Sequence, residues 1–181
     1  TPTMLPFGAL HYPMAVAVDP QGSVYVLQRN PDPVLKLARG ATAPTPVSFG
    51  RLSSEGAGLA IDKRGTVFVT DVDSHQVMAL AAGARSATEL PFTVLSYANG
   101  VAVDSTGNVY VTGEGEVPVW KLAAGADTPA PLPFTGKTNP GSAAVDQAGN
   151  LYVTDFNNHQ VLKLAAGATS PAPLPLPGVE Y

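Results

Sequence analysis

The sequence predicts an all-β fold of four tandem units, a β-propeller of four-stranded antiparallel blades. Three observations predict it. Four aspartates, Asp19, Asp62, Asp104 and Asp146, stand 43, 42 and 42 residues apart, and a fixed period of that size marks a repeat architecture. One phrase surrounds each of them: AVAVDPQGSVYVL at 15–27, GLAIDKRGTVFVT at 58–70, GVAVDSTGNVYVT at 100–112 and SAAVDQAGNLYVT at 142–154. The apolar runs are short, β-branched or aromatic, and bounded by Gly, which is strand patterning.

The third unit shows the plan. Val101-Ala102-Val103 is a first strand. Asp104 to Gly107 is a tight turn, in which the carboxylate can bond the backbone two residues on and Gly takes a positive φ. Val109-Tyr110-Val111 is a second strand, and a polar loop covers 113–118. Val119 to Leu122 is a third strand, Ala123 to Ala126 turns the chain, and Pro131 to Phe134 makes an outer strand, where an edge tolerates proline. The other units repeat this, with turns at Asp19 and Gly22, Asp62 and Gly65, and Asp146 and Gly149, beside Asp104 and Gly107.

Both faces of the first two strands are apolar, so each small sheet is expected to be buried on both sides by its neighbours. Sheets stacked around an axis make a propeller. Ala17, Ala60, Ala102 and Ala144 sit at the middle of the first strand, where the hub is most crowded. The expected layout is a single domain over 1–181, with blades at about 14–49, 57–92, 99–134 and 141–176. Outer-strand motifs occur five times, so an extra outer strand is expected at 4–7.

Composition narrows the function. The chain has 181 residues, 13% of them charged, and a net charge of −4, which argues against a nucleic-acid partner. No apolar stretch approaches a membrane span, so no membrane insertion is expected. Thr1-Pro2-Thr3-Met4 shows no signal-peptide pattern. Cysteine is absent, which removes disulfides, thiolate metal sites and thiol nucleophiles.

The phrase GVAVDSTGNVYVT (100–112), with VTDFNNHQVLKLAAGA (153–168) and LPFTG (132–136), resembles the NHL repeats. In particular it is similar to the extracellular sensor propellers of mycobacterial receptor serine/threonine kinases. His75 and His159 stand where that family carries Arg, and the first unit departs most. The resemblance implies a non-enzymatic sensor domain of a bacterial receptor kinase or a secreted relative, extracellular or at the cell surface. Such a domain binds an unknown extracellular ligand or protein. The resembling domains have six blades. An arc of four leaves two apolar faces open, to be resolved by a larger ring, by a homo-oligomer that completes the ring, or by tight closure of four blades.

The loops between second and third strands share one rim with the loops that lead into each blade. They differ among units, and differing loops on a constant scaffold are where binding is expected. The candidate ligand-binding residues are Arg29, Asp71, His75, Tyr97, Glu114, Asp155, Asn157 and His159, with Tyr12 and Phe156 nearby. Asp71 and Asp155 have two readings: a cation site at the mouth, or the commoner hydrogen bonding of a local turn. His75 and His159 lie two blades apart, so no metal site is expected, and no cofactor. No catalytic set is legible: there is no G-x-S-x-G and no plausible Ser-His-Asp. The competing readings are a metal-assisted propeller lyase or lactonase, and a structural piece whose repeats self-assemble.

Overall fold

The computed structural model describes residues 3–29, 32–50, 52, 56–93, 95–135 and 139–175. Among them sixteen strands form four antiparallel sheets, each a simple meander, and there is no helix. Blade 1 comprises β1 (Pro13–Val18), β2 (Val24–Gln28), β3 (Val34–Leu37) and β4 (Thr45–Pro46). Blade 2 comprises β5 (Gly56–Ile61), β6 (Val67–Asp71), β7 (Gln76–Leu80) and β8 (Thr88–Glu89). Blade 3 comprises β9 (Ser96–Val103), β10 (Val109–Glu114), β11 (Val119–Leu122) and β12 (Ala130–Pro131). Blade 4 comprises β13 (Pro140–Val145), β14 (Leu151–Asp155), β15 (Gln160–Leu164) and β16 (Ala172–Pro173).

The aspartate turns close as their spacing predicts. Asp104 Oδ1 accepts the backbone N–H groups of Thr106 (2.9 Å) and Asn108 (3.0 Å), and Gly107 takes φ +92°. Asp19, Asp62 and Asp146 repeat the pattern with the residues two and four positions on. Asn108 Oδ1 and Asn150 Oδ1 accept from Ala124 N and Ala166 N, which ties the aspartate turns of blades 3 and 4 to the Ala-Ala-Gly turns of those blades.

Period-two patterning then sorts side chains to the two faces. The second- and third-strand residues Tyr25, Leu27 and Val34 of blade 1 pack on Leu59, Val67, Val69 and Leu80 of blade 2, around Phe49. Phe68 and Val77 of blade 2 meet Val101, Val109, Val111 and Leu122 of blade 3, around Phe92. Tyr110 and Val119 of blade 3 meet Leu151, Val153, Leu162 and Leu164 of blade 4, around Phe134. The inner strands pack in chain order, β1 on β5, β5 on β9 and β9 on β13. Each hub alanine pairs with the second-strand aromatic: Ala17 with Tyr25, Ala60 with Phe68, Ala102 with Tyr110 and Ala144 with Tyr152.

The outer strands differ from expectation. They are two-residue strands that end before the Leu-Pro-Phe motifs. Leu90 N–H and Leu132 N–H make one last bond to Val77 and Val119 carbonyls, and then Phe92 N–H and Phe134 N–H bond back to Leu90 and Leu132 carbonyls. That three-residue turn is centred on proline, which has no N–H to continue a ladder. It swings the Phe side chain into the blade junction, where Phe92 and Phe134 are fully buried. Residues 4–7 form this same turn, with Phe7 N–H on the Leu5 carbonyl. They are therefore not an extra outer strand: no third strand pairs with them among the described residues. Leu176, the end of the fifth motif, lies outside the described residues.

Candidate binding rim

The rim predicted to be variable is the edge where β2, β6, β10 and β14 end. In each blade the ladder slips there: pairings jump between Pro13 and Ala15, Gly56 and Leu59, Val111 and Gly113, and Pro140 and Ala143. Such bulges bend a strand and re-aim its loops. The sequence carries no simple signal for them.

Beneath the loops lies a repeated buried knot. Gln28, Asp71, Gly113 and Asp155 occupy equivalent places at the end of the second strand, and all are buried. Gln28 accepts His11 N–H (2.9 Å) and donates to the Asp32 carbonyl (3.0 Å). Asp155 accepts from Asn158 Nδ2 (2.7 Å), Gln160 Nε2 (3.0 Å) and Asn139 N–H (3.3 Å). Asp71 accepts Ser74 N–H at 3.3 Å. At Gly113 a Cβ would lie 2.6 Å from the Tyr97 carbonyl oxygen, so backbone itself fills the place of a side chain. Burial raises the Asp155 pKa, but its donors, Gln160 and Asn158 foremost, outweigh this and hold the carboxyl below its ordinary range. Asp71 and Asp155 thus accept hydrogen bonds from the loops around them.

The other candidates sit on the loop surface. His75 and His159 are exposed and take φ of +58° and +50°, at the residue that closes each turn. His75 Nδ1 accepts Tyr97 N–H at 3.0 Å, and the two rings meet edge to face at 5.0 Å, so blade 2 touches blade 3 here. His159 belongs to blade 4, and blade 3 separates it from His75. Arg29 lies over the Tyr12 ring at 5.9 Å. Glu114 and Asn157 are exposed. Among the described residues no group of three His, Asp or Glu converges as metal ligands.

What stands out on the rim is aromatic: Tyr12 is 76% exposed, Tyr97 46% and Phe156 75%. Of these, only Tyr97 is among the eight residues chosen from sequence. A large aromatic after a buried Asp155, at a loop tip, is the signal that marks Phe156.

The opposite rim carries clefts. One of about 240 Å³ lies between blades 2 and 3, lined by Arg64, Phe68, Leu90 and Val109 among others. One of about 410 Å³ lies between blades 3 and 4, beside Thr106, Tyr110, Lys121 and Leu151. Lys36, Lys121 and Lys163 there lie over the rings of Tyr25, Tyr110 and Tyr152, held in place rather than forming a free basic patch.

The sequence profile of the NHL repeat matches residues 138–164, and that of a β-propeller repeat matches 93–117. These are blades 4 and 3. The chain is built of β-propeller blades, and the fourth is of NHL type. No curated protein matches its sequence. Solved propellers match its shape. A streptogramin B lyase is 16% identical with a TM-score of 0.77, over 96% of this chain and 58% of the lyase chain. A chain of a nidogen/laminin complex is 17% identical with a TM-score of 0.77, over 94% and 66%. A gluconolactonase from Xanthomonas campestris is 15% identical with a TM-score of 0.75, over 92% and 63%. The chain therefore spans under two thirds of the length of the lyase, and likeness at these identities concerns fold alone.

Proposed function

We propose that this chain is a non-enzymatic binding module that takes a peptide or protein ligand on its variable rim. The carrying observation is the set of three exposed aromatics, Tyr12, Tyr97 and Phe156: Gln28 and Asp155 bond the loops beside Tyr12 and Phe156, and Tyr97, at the start of β9, is held by His75. Rigid aromatics give contact area at low entropic cost and are favoured anchors of protein recognition. The resemblance to receptor-kinase sensor domains extends the proposal to an extracellular or cell-surface setting, with signalling that follows from occupancy. The fold is shared with a lyase and a lactonase, so enzymatic turnover is the competing reading.

The test is selection of a random peptide library on the purified protein. Binders are then measured on a variant carrying Tyr12→Asn, Tyr97→Asn and Phe156→Ala. Asn is chosen because both tyrosines take positive φ, which Asn tolerates. Binding is expected to weaken at least about tenfold, the scale of one lost hot spot, and to survive Lys63→Ala on the opposite rim. Peptides indifferent to the triple variant, or turnover of gluconolactone or a streptogramin by the purified chain, would overturn the reading.

A further inference from the structure

The same repeat position is buried in one blade and bare in another. Val16 is 66% exposed, whereas its counterparts Leu59 and Val101 are 9% and 5% exposed. Two residues to either side, Val18 is 59% exposed and Met14 is 45% exposed. In blades 2 and 3 this face is covered by the aromatic and valine of the preceding blade. The three junctions of the chain therefore state what such a face takes: a blade with Tyr or Phe on its second strand and Val on its third.

The segment ahead of blade 1 is already arranged for that neighbour. Leu5-Pro6-Phe7 makes the turn that in blades 2 and 3 follows the outer strand and drops a Phe into the next junction. In sequence, Thr1-Pro2-Thr3-Met4-Leu5-Pro6-Phe7 aligns with Thr128-Pro129-Ala130-Pro131-Leu132-Pro133-Phe134 of blade 3. We infer that the bare face of blade 1 is the seat of a further NHL-type blade whose outer strand runs in line into the turn at Leu5–Phe7. A second copy fits less well. It would offer the free face of blade 4, but also Leu174-Pro175. Leu174 N–H bonds the Val161 carbonyl as Leu132 N–H bonds that of Val119, and so it claims the place that Leu5-Pro6 holds.

The experiment uses the register just described. A copy of residues 93–127 fused directly ahead of Thr1 continues the repeat without a linker, because Asp127 precedes Thr128 in blade 3. The chain has no cysteine, so Val16→Cys is a single thiol probe, and Thr154→Cys on blade 4 is its control. In the parent chain both thiols are expected to label rapidly. In the fusion Cys labelling at 16 is expected to slow by about tenfold or more, because it then requires local opening, while labelling at 154 is unchanged. A second fusion carrying residues 51–85, which ends in the equivalent place, guards against a copy that does not fold. Unchanged labelling at 16 in both fusions would overturn the inference. So would failure of both fusions to add β-sheet ellipticity. A parent chain that dimerises with concentration, and loses labelling at 16 as it does so, would assign the face to a second copy instead.

Discussion

Thr70 Oγ1 donates a hydrogen bond of 2.7 Å to the carbonyl of Asn99, across the junction of blades 2 and 3. The same oxygen accepts Gly58 N–H within its own blade at 2.7 Å. Thr112 repeats the relay, accepting from Gly100 N–H and donating to the Gly141 carbonyl of blade 4. Thr154 accepts Ser142 N–H, but its hydroxyl turns back to the Ser142 carbonyl at 3.4 Å. Thr70 and Thr112 are fully buried, whereas Thr154 is exposed.

Thr70→Val keeps the shape and removes the relay. It leaves the buried Gly58 N–H and the half-buried Asn99 carbonyl without this partner, at ~1–3 kcal/mol for the buried group. Thr154→Val, at the exposed counterpart, is expected to stay within about 0.5 kcal/mol of the parent. Urea unfolding of the two variants and the parent checks this, and equal losses would show that the cross-blade bond adds nothing.

The glycine facing each threonine makes the relay possible. A Cβ at Gly100 would stand 2.6 Å from the Gly141 carbonyl oxygen and 3.0 Å from Ala143 N. Both are backbone atoms that cannot swing away. Gly100→Ala is therefore expected to cost ~2–4 kcal/mol, as overpacking between rigid elements does. A Cβ at Gly141 meets only Thr154 Oγ1, at 3.0 Å, and Gly141→Ala should cost less than about 1 kcal/mol. Thermal melts of the pair decide it: a Gly100→Ala midpoint no lower than that of Gly141→Ala would mean the inner strands part easily.

Much of this was legible in the sequence because it is local and repeated. The Asp-to-Gly turn, the second-strand aromatic and the two-faced apolar strands depend on residues within one unit, and four copies of each corroborate one another. The outer strand was misplaced because Leu-Pro-Phe reads as strand by composition. Its geometry is set by where the Leu N–H finds its last partner, on another strand. At the rim, Asp71 and Asp155 carry the same letters whether they bind a ligand or knot a loop. The letters do not show that Asn158, Gln160 and Asn139 bring their donors to Asp155. Gly113 and the bulges at every rim had no signature, since a slip of register belongs to two strands at once.

Phe134 is 1% exposed and wedged between blades 3 and 4. Phe134→Ala is expected to cost ~3–5 kcal/mol, the range for deleting a buried phenyl ring. Phe7 makes the same turn at the uncovered face and is only half-buried. Phe7→Ala should cost less than half as much. Chemical unfolding of both variants provides the check, and a Phe7→Ala loss as large as that of Phe134→Ala would show that the face of blade 1 is packed without a neighbour.

Asp104 and Tyr110 form a partly buried hydroxyl–carboxylate pair at 3.0 Å, and they give the fold opposite dependences at the two ends of the pH scale. Burial raises the Asp104 pKa, but bonds from Thr106 and Asn108 outweigh it and leave the carboxyl well below its ordinary range. A depressed folded pKa means stabilisation that is complete above the unfolded value, about 3.9, and lost as pH falls through the folded one. Tyr110 is pushed up to about 12, first by burial and then by its bond to Asp104. A raised folded pKa means stabilisation present below the unfolded value, about 10, and lost as pH climbs from there through 12. Tyr110→Phe places in blade 3 the ring that Phe68 already supplies in blade 2, so the variant should fold. Its alkaline titration, followed by tyrosinate absorbance, is expected to lack the latest step, and its stability should fall less between pH about 10 and about 12 than that of the parent. If the latest step persists in Tyr110→Phe, the raised group is another tyrosine and the Asp104 carboxylate does not hold the hydroxyl proton in place.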